Sequence, residues 1–172
     1  MKDVRVAKLA CGALWAALSM ACGTETVPVA GSDCLQIVGQ GSTVGTIRDL
    51  MGSGTFTFGD VERDGEVGIY LNDIADNGDG TLDLTIIYQF FWDGGDFILT
   101  QDPVRFTPAL NPDTYSFTLP MTITSGGGMF VNTVGTSPLR IEATVEFGPA
   151  PGPGELRPAR EEFTLGGRVC VE

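Results

Sequence analysis

The sequence predicts an all-β domain: one antiparallel β-barrel of about eight to ten strands, with a β-sandwich as the alternative. Three observations carry this. Thr114 to Thr124 places an apolar residue at every odd position from Tyr115 to Ile123, the period of a strand with one buried face. Turn-forming clusters punctuate the chain at short intervals, among them Asp64-Gly65, Asp76-Asn77-Gly78-Asp79-Gly80 and Asp93-Gly94-Gly95-Asp96. Beyond residue 21 no helix-period pattern of useful length occurs.

Taken in order, Cys34 to Val38 reads as a short first strand, ended by Gly39 and Gly41. Val44 to Leu50 is a candidate second strand, and Gly54 to Phe58 alternates Thr with Phe. Asp64-Gly65 is a hairpin-turn dipeptide, after which Val67, Ile69 and Leu71 share one face. Leu82 to Trp92 is the longest strand candidate. Its even face carries Leu82, Leu84, Ile86, Tyr88, Phe90 and Trp92, and its far end is apolar on both faces, which predicts cover from a loop or a second contact. Pro103 and Pro108 mark edges or loop ends. Ser125 to Gly128 reads as a turn, Met129-Phe130-Val131 as a resumed strand, and Gly135 to Pro138 as a second break. Arg140 to Phe147 then alternates with Ile141, Ala143, Val145 and Phe147 on one face. A Pro/Gly-rich loop from Pro149 to Gly154 precedes a closing strand, Phe163 to Val171.

The first 21 residues stand apart. Lys2, Arg5 and Lys8 precede an apolar run from Leu9 to Met20, too short to span a bilayer. Leu18-Ser19-Met20-Ala21-Cys22 resembles a bacterial lipoprotein signal, which implies acylation of Cys22 and a lipid anchor in the membrane. Ser19-x-Ala21 also fits ordinary signal-peptide cleavage, which would give a secreted soluble protein. The organisation is therefore 1–21 signal peptide, 22–31 flexible tether and 32–172 antiparallel β domain, located in the cell envelope.

After cleavage the chain keeps seven Arg and no Lys against 21 acids, a net charge of −14. Such a surface is a poor partner for nucleic acid. If Cys22 is acylated, Cys34 and Cys170 remain as an even pair in an oxidising compartment, one opening the first strand and one near the end of the last. A disulfide there would staple the ends of the domain.

The run Ile123-Thr124-Ser125-Gly126-Gly127-Gly128-Met129-Phe130, followed by Gly135, resembles the Gly-rich segment of dirigent-like and allene-oxide-cyclase-like β-barrels. In those proteins this turn is structural, so the resemblance implies a barrel and carries no catalytic residue across.

The chain contains no His, which removes His-dependent nucleophilic systems and His-based zinc sites. The mature part has no Lys for Schiff-base chemistry. The acidic stretches Asp60–Gly65 and Asn77–Gly80 resemble calcium loops only in part. Leu71 stands where the twelfth ligand belongs in the first, and Ala75 where the first ligand belongs in the second. Both read as turns, so no metal and no cofactor are expected. Asp83, Glu142 and Glu146 alternate with apolar residues and read as a solvated outer face. No catalytic constellation emerges.

Phe56, Phe58, Tyr88, Phe90, Trp92, Tyr115 and Phe117 lie on the apolar faces and are the candidate interior. A barrel of this size is filled by such side chains or holds one small apolar ligand, and filling is the expected state. The function expected is a binding or interaction module of the cell envelope, its partner an apolar small molecule or another envelope protein. The alternatives are a cyclase- or isomerase-like barrel enzyme and a purely structural envelope protein.

Overall fold

The computed structural model describes residues 33–107, 113–133, 135–149 and 152–171. The signal, the tether with Cys22, and Pro108 lie outside the described residues.

Nine strands form the fold: β1 (Asp33–Thr46), β2 (Asp49–Phe58), β3 (Val61–Asp76), β4 (Leu82–Trp92), β5 (Asp96–Thr100), β6 (Asp102–Phe106), β7 (Thr114–Gly127), β8 (Gly135–Phe147) and β9 (Pro158–Val171). All pairings are antiparallel. Eight strands close on themselves in the order β1-β2-β3-β4-β5-β7-β8-β9, with β9 returning to β1 along its whole length. β6 is the ninth and pairs with β4 alone. The barrel, not the sandwich, is the architecture.

Several elements depart from the pattern read in the sequence, each for a packing reason. The first strand does not stop at Gly39. It runs on to Thr46 because Gly39 and Gly41 make room for rings: a Cβ on Gly39 would stand 2.3 Å from the Phe56 ring, and one on Gly41 would stand 2.6 Å from Phe163. Val44 to Leu50 is not one strand, since the chain bends at Ile47-Arg48 between β1 and β2. Asp64-Gly65 is not a turn. The β2–β3 hairpin turns at Gly59-Asp60, where Phe58 pairs with Val61 and Gly59 takes φ +59°, the positive φ that a primed two-residue turn requires. Gly65 lies inside β3 because the Trp92 indole occupies the space of its missing Cβ, 2.6 Å away.

Gly126 and Gly127 likewise belong to a strand, β7, paired with Ile98 and Phe97. Met129-Phe130-Val131 is not a strand. Gly128 to Phe130 forms one 3-10 turn that drives Phe130 into the core. The Gly135 to Pro138 break is an irregularity of register within β8. Phe91, at the doubly apolar end of β4, is 42% exposed and finds its second contact in the Phe97 ring of β5. The closing strand begins at Pro158, five residues earlier than the sequence pattern places it.

The turns at Asp76–Gly80 and Asp93–Gly95 stand as read. In the first, Asp76 and Asp79 accept the backbone N–H groups of Gly78 and Thr81. Asp83, Glu142 and Glu146 face solvent, with Asp83 paired to Arg105 at 2.7 Å.

At one end of the barrel the start of β1 meets the end of β9. There Cys34 and Cys170 face each other in the β1–β9 register, with sulfurs bonded at 1.99 Å and Cα atoms 4.0 Å apart.

Candidate functional site

The interior is packed in one half and hollow in the other, and the alternation of each strand sets the boundary. At the end that carries the disulfide, Phe56, Phe58, Phe90, Trp92, Phe130 and Phe163 form a plug. Trp92 lies 5.0 Å from Phe58, 5.2 Å from Phe56 and 5.4 Å from Phe130, ring centre to ring centre. The first two are edge-on and the third is tilted, and edge-on pairs each contribute about 0.5–1.5 kcal/mol beyond the area they bury. The expectation of a filled interior holds for this half only.

The other half encloses a cavity of about 480 Å³. Ile69, Leu71, Leu84 and Ile86 line one side, Val145, Phe147 and Ala159 another, and Phe106, Tyr115 and Phe117 a third. Ile47, Arg48, Leu156 and Arg157, on the loops opposite the disulfide end, and Ile74, at the register irregularity of β3, lie at its rim. Its walls mix medium-sized aliphatics with the rings of Phe106, Tyr115, Phe117 and Phe147, which line the space without filling it. Of the seven interior aromatics picked out by the sequence, Tyr115 and Phe117 line the cavity, Phe56, Phe58, Phe90 and Trp92 form the plug, and Tyr88 lies between.

The boundary layer is polar. Tyr88 stacks on Phe90 with ring centres 6.0 Å apart, and its Oη donates to Glu161 Oε1 at 3.0 Å. Glu161 is 2% exposed and lines the cavity. Burial pushes its carboxyl up to about 7, against the smaller opposing effect of the Tyr88 hydrogen bond. Burial, with the nearby Glu161 carboxyl second, raises Tyr88 well above the usual phenol range. Thr43 faces Glu161 across the β1–β9 ladder, and its buried hydroxyl has no hydrogen-bond partner in the structure.

Asp102 is the second inward carboxylate, 4% exposed, and burial raises it as well. Its Oδ1 accepts the Thr122 N–H at 2.7 Å, while its Oδ2 has no hydrogen-bond partner. That bond closes the top of a seam. Below Thr122 the barrel wall lacks a β6–β7 ladder, because β7 from Thr114 to Met121 pairs with β8 only. Pro103 on β6 and Pro120 on β7 have no N–H to give to one. Phe106 and Tyr115 meet across the seam with ring centres 5.1 Å apart.

Glu161 and Asp102 were missing from the residues the sequence singled out. Ala159, Glu161, Phe163 and Leu165 keep strict alternation, so the inward aim of Glu161 was available once β9 was started early enough. Asp102 sits in Gln101-Asp102-Pro103, which has the composition of a loop. No group of three or more potential metal-ligating side chains occurs among the described residues, and no helix among them is long and apolar enough to cross a membrane. No protein-family model matches the chain, and no curated protein is similar enough to it to count as a relative.

Proposed function

We propose that this protein is a binding barrel of the cell envelope that takes one small, largely apolar molecule into its hollow half. The observation that carries this reading is the 480 Å³ cavity with apolar walls and a single carboxyl in its lining, Glu161, which accepts the Tyr88 hydroxyl. Its volume is in the range of small-molecule sites, and a few polar groups in an apolar pocket are what fixes a ligand's orientation. The lipoprotein-like stretch Leu18 to Cys22 supports export and anchoring, with the barrel held on the 22–31 tether.

A second reading follows from Glu161 itself. A carboxyl held near neutrality in a cavity shielded from water is suited to proton transfer. An isomerase- or cyclase-like reaction on an apolar substrate would use it.

The binding reading is tested with the neutral dye Nile red and the intact mature protein. Saturable fluorescence enhancement is expected, lost in Val145→Trp, which fills the cavity, and kept in Glu142→Gln on the outer face. Unchanged enhancement in a folded Val145→Trp variant would place the dye elsewhere and remove the reading. For the anchor, Cys22→Ser is expected to release the protein from the membrane fraction or block its maturation. An N-terminal peptide without acyl mass in the wild type would refute it.

A further inference from the structure

We propose that the cavity selects a lipophilic monoamine, whose ammonium group enters first and rests on the Glu161 carboxylate. This rests on the cavity-binding reading above and names its ligand class.

The argument starts from which charges face the cavity. Glu161 on β9 lies in one cross-strand row with Val145 on β8 and Tyr115 on β7, and with Thr43 on its other side. The titratable groups packed against that row from other elements are Tyr88 on β4, which donates to Glu161, and Asp102 on β6, which acts on Tyr88 through its charge. None of these supplies a positive charge. The two arginines of the cavity, Arg48 and Arg157, stand at the rim. Arg157 is held there by the Gly148 carbonyl at 2.7 Å and by Asp113 at 3.1 Å, and lies 5.2 Å over the Phe147 ring. The deep end is thus acidic with no cation of its own, and burial holds the Glu161 proton up to about 7.

Above that carboxyl the walls carry Phe106, Tyr115, Phe117 and Phe147. Ring faces attract a cation, and an ammonium placed between rings and a carboxylate satisfies both. A carboxylate or phosphate head would meet Glu161 at the deep end and be repelled. A neutral head would leave the Glu161 charge uncompensated at high pH.

Three probes with one body separate the head groups: 4-phenylbutylamine, 4-phenylbutan-1-ol and 4-phenylbutanoate, titrated calorimetrically into the intact mature protein. The amine is expected to bind at least tenfold tighter than the alcohol at pH 8. Its affinity should rise about tenfold from pH 6 to pH 8, as Glu161 ionises while the amine stays charged. Glu161→Gln should remove both the preference and the pH dependence. Alcohol or carboxylate binding as tight as the amine, or an amine affinity flat with pH in the wild type, would overturn the amine assignment and leave the cavity reading standing. Binding of none of the three would overturn both. The pH series uses wild-type protein, so the test does not depend on how Glu161→Gln folds.

Discussion

Tyr88 and Glu161 join strands that are not neighbours: β4 and β9 face each other across the barrel, and a 3.0 Å hydrogen bond links them through its middle. This contact divides the packed half from the hollow half, and it has a cost that depends on pH. The folded state holds the Glu161 proton up to about pH 7, while an unfolded chain releases it near the ordinary 4.5. Between those values the folded state binds more protons, so stability falls as pH rises through the window.

The expected outcome is a wild-type protein more stable at pH 5 than at pH 8. The difference is on the order of 3 kcal/mol at most, from the size of the shift. Glu161→Gln keeps an acceptor for Tyr88 and has no charge to bury, so its stability should be nearly flat over the same range. Asp102, raised in the same sense, would add to the slope at the lower end. Asp96, lowered by the Arg63 hydrogen bond, acts oppositely and only at more acidic pH. Urea denaturation midpoints at pH 5, 6, 7 and 8 measure this. A wild-type curve that rises through pH 5 to 7 would contradict the burial of Glu161.

Most of the barrel was legible from period-2 alternation. In β4, and again from Arg140 to Phe147, the faces read from sequence are the faces observed. The misread turns share one cause: glycine has two uses that look alike in sequence. At Gly59, Gly78 and Gly94 the backbone takes positive φ and the chain turns. At Gly39, Gly41 and Gly65 the strand continues, and the missing side chain admits a ring from a residue that is distant in sequence or on the next strand. Asp64-Gly65 has turn composition, and only the position of Trp92 reveals the other use. The cavity was illegible for a related reason, since hollow volume depends on which residues of nine strands share a level.

The Gly65 reading gives a sharp test. Gly65→Ala would set a methyl 2.6 Å from the Trp92 indole, and the Phe91 carbonyl at 2.9 Å closes the other side. Overpacking of this kind costs about 1–3 kcal/mol. The expected result is that loss in urea denaturation, with a changed tryptophan near-ultraviolet signal that reports the displaced ring. A fully stable variant would mean the plug has slack.

Cys34 and Cys170 close a loop over a sequence separation of 136 residues at the point where β1 meets β9. Chain-entropy models give on the order of 4 to 5 kcal/mol for so long a loop, before any native strain. Cys34→Ala should lower the thermal midpoint without loss of strand content, because the β1–β9 ladder continues to Thr46 and Pro158 without the bond. Non-reducing peptide maps should show the 34 and 170 peptides joined. Free thiols in protein taken from the envelope would refute the pairing.

The seam between β6 and β7 is the weakest part of the wall, and Asp102 fixes where it begins. Gln101 donates its N–H to the Thr122 carbonyl at 3.1 Å, and the Asp102 carboxylate takes the Thr122 N–H at 2.7 Å. These two bonds carry the barrel from the paired β5–β7 region to the edge where Pro103 and Pro120 rule out a full ladder. Asp102→Ala removes the second bond and leaves a buried N–H without its acceptor, a loss of about 1–3 kcal/mol. Asp102→Asn keeps an acceptor oxygen, sheds the charge that burial disfavours, and should be close to neutral. Local opening requires only local bonds to break, so the alanine variant should show faster amide exchange at Thr122 and along Tyr115 to Met121. The β1–β9 amides should speed up only by as much as global stability falls. Exchange that rises uniformly around the barrel in Asp102→Ala would show that the seam has no separate opening and that Asp102 contributes only to global stability.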